Sequence, residues 1–545
     1  MFLVSMFKFE QKNMKFNLFL VVLLFSKAIF SQNDFDYSIY LKPVEFPNLI
    51  GLHSFATAQN GSKILFVGGR RDGVHARQPF NAFPESKNND SIFVIDLTSK
   101  EIWSKSLESL PINLKEQLQS TNMCFFQDAD TLTIIGGYAY SNSAQDHITF
   151  PYLTTISISN LINHVVLNQD ITTDFKQIQN EQFAITGGEL NKIGNTYFLV
   201  GGHRFDGRYN PMNNPTFTQT YLNGLVKFTL NNSGNQLQFS ILETVIDPIH
   251  LHRRDFNLLN QIDANNEKML LISSGVFQLN ENLPFLYPVE IKADTHLAIT
   301  NFNQYLSNYH SAKVSLFHSN SQSNYSIFFG GISQYYYENN TLINDPTVPF
   351  INTISLLKAK NGMYEEFKFE TEMPSLKGSG AHFYINENLA TFHDEIISMD
   401  NFTTDSILIG HIFGGIESSS KSAFTDNETS LTSADKSLYE VYLVKNNYAN
   451  LLKIEKPNTF NFTLFPNPNA GTLNISFNLE KKAEIYFYLT NLKGEIIDEG
   501  LLAKCKKGEN INKLNLDKKI ENQVLFLTIS KDYLEFHSEK FILNR

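Results

Sequence analysis

Two glycine-led loops of this sequence carry similar sets of guanidinium, imidazole and carboxylate groups. The first runs from Gly68 to Arg77 and the second from Gly201 to Arg208; a third cluster of the same residue types occupies positions 250–255. Because an arginine fork binds a carboxylate through two parallel hydrogen bonds, these groups predict a surface for an acidic or polyhydroxyl ligand. The candidate ligand-binding residues are Arg70, Arg71, Asp72, His75, His203, Arg204, Asp206, Arg208, Arg253, Arg254 and His310.

The same residue types also have a purely structural interpretation. Arginine–aspartate pairs fix loop conformations, and histidines at the start of a strand cap neighbouring backbone groups, so each candidate serves either a ligand or its own loop. The run Tyr335–Tyr337 could stack on a sugar ring, but packing within the loop is expected for at least two of these three rings.

Tests for metal binding and nucleophilic catalysis are negative. His250 and His252 have the spacing of metal ligands, but the sequence specifies no third ligand. The motifs of serine hydrolases, zinc proteases, phosphate-binding loops and dinucleotide-binding folds are absent from the sequence. We therefore expect no metal and no cofactor, and we assign no catalytic residue.

An internal repeat organises the region that contains these loops. Six apolar strands end in paired glycines or a degenerate version of the pair, with the second glycine at positions 69, 137, 202, 275, 331 and 415. A glycine pair lets strand ends crowd together where a Cβ atom would clash. A repeat of this kind predicts a modular ring rather than a large β-sandwich.

Each copy of the repeat has the same surroundings. A short strand and a polar turn precede it, and a long polar loop, an alternating strand and an outer strand follow it. Four strands in this order form one blade, and the six copies resemble the Kelch repeat family over roughly residues 37–446. The resemblance implies an all-β, six-bladed Kelch-type β-propeller at residues 32–446. Ser38–Pro47 is predicted to supply the outer strand of the last blade and so close the ring.

Blade topology places the candidate residues on one side of the ring. The loops after each Gly-Gly pair and the junctions that enter each first strand share one face, which we call the long-loop face. We expect the candidate residues to surround the propeller axis there. The serine-rich segment Glu417–Lys436 is expected to be a flexible insertion without chemistry.

Both ends of the chain carry export signals. Lys12 and Lys15 precede the apolar run Phe16–Phe25, which is too short to span a membrane, so residues 1–31 are predicted to be a signal peptide. After a linker at 447–458, the segment Leu464–Leu479 and later alternating strands predict a small immunoglobulin-like β-sandwich. Their order resembles the type A sorting domain of type IX secretion over residues 459–545. The resemblance implies that the type IX machinery carries the protein across the outer membrane to the cell surface or the medium.

Net charge, cysteine content and hydropathy limit the partners that the protein is expected to have. Four lysines and one glutamate lie within residues 1–31, so their removal moves the net charge from −11 to −14. An acidic exported protein is a poor partner for nucleic acid. Cys124 and Cys505 fall in different predicted domains, so no disulfide framework is expected. After signal removal, no second hydrophobic stretch is long enough to span a membrane.

Three functions fit this outline. The leading interpretation is a non-catalytic recognition protein that binds a glycan or a protein on its long-loop face. The second is an enzyme on the same scaffold: a mutarotase or epimerase acting on an acidic sugar, or a copper radical oxidase resembling galactose oxidase, in which Cys124 would form a crosslink to tyrosine. The third is a structural surface component whose face binds sister chains.

Overall fold

A computed structural model describes most of the chain. It covers residues 35–210, 216–234, 236–279, 281–393, 395–446, 451–454, 462–479, 481–492, 496–531 and 535–545. The predicted signal peptide, 1–31, lies outside the described residues, as does most of the predicted linker, 447–458.

Six sheets account for most of residues 37–445, and each contains four antiparallel strands that form one blade of a propeller. The sheets of blades five and six carry additional short strands. Strands are given from the inner to the outer edge of each blade. Blades one to three are Ala56–Asn60, Lys63–Val67, Ser91–Asp96, Ile102–Ser106; Cys124–Asp128, Thr131–Ile135, Tyr152–Ser157, Phe175–Gln179; and Glu189–Ile193, Thr196–Val200, Gly224–Asn231, Gln238–Ile246. Blades four to six are Asn257–Ile262, Lys268–Ser273, Val289–Ile291, His296–Ala298; Ala312–His318, Ser323–Ile332, Phe350–Lys360, Met363–Glu372; and Leu376–Ile385, Ser406–Ser418, Leu438–Lys445, Tyr37–Val44.

The first strand of the chain closes the ring. Tyr37–Val44 forms the outer strand of blade six, where it pairs antiparallel with Leu438–Lys445 from the other end of the repeat region. The predicted closure is therefore confirmed. Because this pairing fastens the two ends of the ring together, it leaves no open blade at the junction.

The Gly-Gly pairs join neighbouring blades. The backbone N–H of Gly69 donates to the carbonyl of Ser120, at the entrance to blade two, over 2.8 Å. The equivalent bonds run from Gly137 to Ile185, Gly202 to Arg253, Gly275 to Asn308 and Gly415 to Leu52. The preceding glycine has no room for a side chain: a Cβ atom on Gly136 would lie 1.8 Å from the carbonyl oxygen of Ile185. The clash that the motif predicts is thus with the next blade.

The described residues also form short hairpins, helices and 3-10 turns outside the blades. Three two-stranded hairpins follow Gly-Gly pairs on the long-loop face: Tyr138–Ser141 with Asp146–Thr149, His203–Gly207 with Phe217–Tyr221, and Tyr335–Glu338 with Thr341–Asn344. The helix Ile112–Leu118 connects blade one to blade two, and the helix Ile158–Val166 connects the third and fourth strands of blade two. The second helix forms because its apolar residues recur at helical spacing, and Ile158, Leu161, Ile162 and Val165 are buried. Seven short 3-10 turns are Pro79–Asn81, Glu85–Lys87, Leu107–Ser109, Thr172–Asp174, Glu181–Phe183, Met399–Asn401 and Thr429–Leu431.

The segment Glu417–Lys436 is folded, so the expectation of a flexible insertion is wrong. Within it, the strand Thr432–Ala434 pairs back onto the end of Ser406–Ser418. Ala423 is fully buried, and the ring of Phe424 contacts the imidazole of His75. These two apolar side chains hold the otherwise polar segment against the propeller. The high serine content of the segment gave no indication of these contacts.

The C-terminal region is a sandwich of two antiparallel sheets. One contains Phe462–Phe465, Thr472–Leu479 and Gly508–Asn515; the other contains Ile496–Cys505, Ala483–Thr490, Gln523–Lys531 and Glu535–Leu543. Alternate apolar residues of the two sheets meet in one core. The predicted fold class, an all-β propeller followed by a small β-sandwich, is confirmed. Among the described residues, no helix is long and apolar enough to cross a membrane.

Candidate ligand-binding site

An ion pair and hydrogen bonds of Arg70 fix the conformation of the first predicted loop. Arg70 is 2% exposed and donates through Nε and Nη2 to the carboxylate of Asp72, over 2.8 and 2.6 Å, and through Nη1 to Asn88 over 2.8 Å. Burial acts to raise the pKa of Asp72, but the His53 imidazole, whose Nε2 lies 3.8 Å away, and the hydrogen bonds from Arg70 lower it to about 2. Arg70 and Asp72 thus satisfy each other and fix the loop after the first Gly-Gly pair.

Three further arginines lie on the rim of the long-loop face. Arg71 pairs with Asp90 at 3.2 Å, and Arg204 pairs with Asp206 at 2.6 Å. Arg208 donates to a backbone carbonyl over 3.4 Å. These side chains are partly exposed to solvent, where ion pairs contribute little stability and leave the guanidinium groups open to other partners.

Arg253 belongs to the core of blade four. Its guanidinium is fully buried and donates to the backbone carbonyls of His250, Ser274 and Tyr287 over 2.7–2.8 Å. It also lies over the ring of Phe285 at 4.1 Å. Burial lowers the pKa of Arg253 to about 10. This arginine stabilises the junction between blades and is not available to a ligand.

The neighbouring Arg254 points the other way, toward the axis. Its side chain is 22% exposed, and its Nη1 forms an ion pair with Asp255. Its Nε donates to the Tyr221 hydroxyl over 3.1 Å, while the guanidinium lies 5.0 Å from the centre of the Phe277 ring. Although burial acts to lower the pKa of Arg254, Asp255 and Tyr221 raise it, so the group is cationic. No hydrogen bond to its Nη2 is found among the described residues.

Aromatic and imidazole rings surround Arg254. His252 stacks on Tyr221 with ring centres 3.8 Å apart, and His203 lies 5.4 Å from the same ring. Phe205 lies 5.7 Å from the His203 ring and 6.4 Å from the Tyr209 ring, and Tyr309 precedes His310, whose backbone N–H donates to the Asp255 carbonyl over 2.9 Å. Burial raises the pKa of both Tyr209 and Tyr309, and the charge of Arg254 opposes this rise. We call Tyr209, Tyr221, Tyr309, His203, His252 and Arg254 the tyrosine–arginine cluster.

The phenols of the cluster differ in their partners. The Tyr221 hydroxyl accepts from Arg254. No hydrogen bond joins the hydroxyl of Tyr209 or Tyr309 to another described residue, and both side chains are half-buried. Sequence reasoning missed all three tyrosines and selected Tyr335–Tyr337 instead. The signal that could have found Tyr309 is its position beside His310 at the entrance to an inner strand.

Tyr335–Tyr337 lies in its own hairpin, outside the cluster. Tyr335 is buried against Tyr305 with ring centres 4.8 Å apart. The ammonium group of Lys421 sits 4.2 Å from the centre of the Tyr336 ring. Packing within the loop thus accounts for at least two of the three rings.

Two predicted histidines occupy separate surroundings. His75 stacks on Phe83 at 4.4 Å and contacts Tyr209 at 4.6 Å, and burial lowers its pKa to about 4. His310 lies on the axis, with Nε2 3.4 Å from Glu189. Burial, and then the charge of Lys313, lower the pKa of His310 well below its ordinary value, so both imidazoles are neutral.

The two histidines with metal-ligand spacing bind different protein groups. His250 Nδ1 is 2.9 Å from the Tyr287 hydroxyl, and His252 Nδ1 is 2.5 Å from Asn223 Oδ1. Over the described ranges, no group of three or more His, Cys, Asp or Glu side chains could hold a metal ion. Cys124 is fully buried in the inner strand of blade two.

Comparison with known proteins identifies the C-terminal sandwich. Residues 463–544 match the family of secretion system C-terminal sorting domains. The chain is therefore an all-β, propeller-like protein with a sorting domain, directed by type IX secretion to the cell surface or the extracellular space.

Similarity to solved structures is distant. The chain resembles the structure of YjhT with a TM-score of 0.40 and 11% identity, over 74% of this chain and 99% of that one. It resembles a fungal alcohol oxidase of the AA5 family, in complex with copper, with a TM-score of 0.35 and 9% identity, over 93% and 99% of the two chains. No curated protein matches the sequence. Similarity at this level says nothing about ligand or activity.

Proposed function

We propose that this protein is an exported Kelch-type propeller that recognises an acidic glycan through the tyrosine–arginine cluster on its long-loop face. The mature chain would begin after residue 31 and carry the propeller to residue 446, the linker at 447–458 and the sorting domain at 459–545. Of the two ligand classes left open by the sequence, a glycan and a protein, the cluster favours a carbohydrate that bears a carboxylate.

One observation carries the proposal. The Nη2 atom of Arg254 and the hydroxyls of Tyr209 and Tyr309 form no hydrogen bond with another described residue, although all three side chains are half-buried and belong to the same cluster. Polar groups in such positions gain most from a ligand that satisfies them. A guanidinium takes a carboxylate, phenols bond to sugar hydroxyls, and aromatic rings pack against the apolar face of a sugar.

The remaining predicted residues support the surface rather than line its centre. Arg70 and Arg253 are buried and hydrogen-bonded within the protein, so we leave them out of the proposed contact surface. Arg71, Arg204 and Arg208 lie on the rim of the same face. Arg71 and Arg204 are paired with carboxylates, so they would contact an acidic ligand only by exchanging partners, whereas Arg208 forms no ion pair among the described residues.

The proposal is tested by screening the mature full chain against arrayed neutral, sulfated and carboxylate-bearing glycans. We expect selective binding to carboxylate-bearing members. Arg254→Lys should weaken that binding about tenfold to a hundredfold, since a hydrogen bond to a charged group contributes about 1.5–3 kcal/mol. Tyr309→Phe should weaken it about twofold to tenfold, since a hydrogen bond between neutral groups contributes about 0.5–1.5 kcal/mol. Tyr336→Phe, which alters a phenol on the same face but outside the cluster, is the matched control. Equal losses in all three variants, or none in any, would contradict the proposal.

A further inference from the structure

A cavity of about 800 Å³ opens on the opposite side of the ring from the tyrosine–arginine cluster. We call this side the hairpin face, because the turns between the first and second strands of the blades lie there. The inner strands of all six blades line the cavity. Its volume falls within the range of about 300–1000 Å³ that encloses small-molecule ligands.

The floor of the cavity is aromatic and uncharged apart from one carboxylate. Phe125, Glu189 and His310 border both the cavity and a separate void of about 20 Å³ on the long-loop side, so they divide the two. His382 reaches across from blade six, with its ring 5.7 Å from that of Phe125. This floor closes the axis between the two faces.

Six charged groups of the wall form three ion pairs, and a seventh, the exposed Glu387, has no ion-pair partner among the described residues. The pairs are Lys192 with Asp128 at 2.6 Å, Lys268 with Glu395 at 2.8 Å, and Lys313 with Glu189 at 3.1 Å. A charged ligand would have to displace one member of a pair and leave a partly buried charge without its counterion. The wall therefore favours a ligand that carries no charge but forms many hydrogen bonds.

His382 supplies unused hydrogen-bonding capacity at the floor. Burial, followed by the charges of Lys313 and His310, lowers its pKa to about 3. Its neutral imidazole has one donor and one acceptor, and neither forms a hydrogen bond with any described residue. A hydroxyl group, which both donates and accepts, matches this pair of functions.

An insertion in blade six shapes the mouth. The turn between its first two strands is expanded to residues 386–405 and contains the short strands Thr391–Phe392 and Ile396–Ser398. Ile396–Ser398 pairs in parallel with the inner strand of blade five, and Glu395 reaches Lys268 of blade four. The insertion thus spans three blades at the rim of the cavity, and His393 is exposed on it.

We infer that this axial cavity is a second ligand site, which binds a short neutral oligosaccharide entering from the hairpin face. The rings of Phe125 and His382 offer a surface for the apolar face of a sugar, and the paired charges and neutral imidazoles bind its hydroxyls. The cavity is separate from the tyrosine–arginine cluster and takes a ligand of different charge.

The test combines binding with a steric block. Binding of maltotriose, cellotriose, xylotriose and mannotriose to the mature full chain is measured by titration calorimetry. Both native cysteines are buried, so a single exposed cysteine can be labelled selectively with a maleimide-linked polyethylene glycol. His393→Cys places the label at the mouth of the cavity. Gln145→Cys places it on an exposed turn of the long-loop face, with a similar positive φ of 56° against 49° for His393.

We expect at least one trisaccharide to bind, and labelled His393→Cys to lose at least tenfold in affinity while its unlabelled form and labelled Gln145→Cys keep it. His382→Phe, which retains the ring, should weaken binding at least tenfold, whereas His411→Phe on the adjacent strand should not. Loss of binding on labelling Gln145→Cys alone would assign the sugar to the long-loop face and overturn the inference. Absence of binding by all four sugars would also overturn it.

Discussion

Substitution of Gly136 tests how the Gly-Gly motif builds the ring. Gly136 has a φ of 67°, and an added Cβ atom would lie 1.8 Å from the carbonyl oxygen of Ile185 in the next blade. Gly194, in the hairpin turn of blade three, has a similar φ of 57° but nothing within 4 Å of its added Cβ. Alanine at the two positions therefore separates the cost of backbone conformation from that of interblade contact.

The expected magnitudes follow from these contacts. At Gly194, alanine costs only its left-handed conformation, about 1 kcal/mol once the lower entropy of the unfolded chain is included. At Gly136 the same cost is joined by steric overlap of about 1–3 kcal/mol and by about 1 kcal/mol from the adjacent Gly137–Ile185 hydrogen bond. Gly136→Ala should lower the free energy of unfolding by about 3–5 kcal/mol.

Equilibrium unfolding in urea measures the difference. Trp103 is the single tryptophan and lies in the outer strand of blade one, so its fluorescence follows the propeller and not the sorting domain. With the urea dependence unchanged, the midpoint of Gly136→Ala should shift several times further than that of Gly194→Ala. Equal shifts would refute the reasoning, because the interblade contact would then contribute nothing beyond the backbone conformation.

Two further predictions concern buried charge. Glu366 accepts hydrogen bonds from the backbone of Tyr305 and Leu306, but burial raises its pKa to about 8 from 4.5. Between these two pKa values the folded state retains a proton that the unfolded state has lost, so the free energy of unfolding should fall as the pH rises from about 4.5 to about 8. In urea titrations at several pH values, Glu366→Gln should make this dependence on pH shallower. A wild-type free energy of unfolding that does not change over this range would be inconsistent with a raised pKa. Lys377 and Asp435 are 2.9 Å apart with side chains 4% and 3% exposed. In the same assay, Lys377→Met should lower the free energy of unfolding by about 3–5 kcal/mol, because it leaves the buried carboxylate of Asp435 unpaired. The double variant Lys377→Met, Asp435→Asn should recover part of that loss. An equal loss in the single and the double variant would argue against an energetic coupling between the two side chains.

The ring could be predicted from the sequence because its determinants are local. A glycine at the end of an apolar strand indicates a hydrogen bond to the next blade, which is found at five of the six blade boundaries, and the turns before it indicate hairpins. The strands Ile396–Ser398 and Leu452–Lys453 could not be predicted in the same way. Each is two or three residues long and pairs with a strand of blade five that is remote in sequence, so neither leaves a periodic pattern.

The candidate site was harder to predict because adjacent identical residues have opposite roles. Arg253 and Arg254 are neighbours in the chain, but the first side chain is fully buried inside blade four and the second is partly exposed and bonded to Tyr221. Side-chain direction depends on the local backbone, here followed by Asp255 with a φ of 50°. Tyr221 reaches the cluster from the end of a hairpin, and no spacing rule in the sequence connects it to Arg254.

The path of the chain toward the sorting domain is compatible with binding at both ends of the axis. Residues Leu452 and Lys453 of the predicted linker pair with Phe367 and Lys368 in the outer strand of blade five. This outer strand lies on the circumference of the ring, as far from the axis as a blade extends. Because the described part of the linker follows the circumference, it covers neither the tyrosine–arginine cluster nor the mouth of the axial cavity. An attached sorting domain and an occupied ligand site are therefore mutually compatible along this part of the chain.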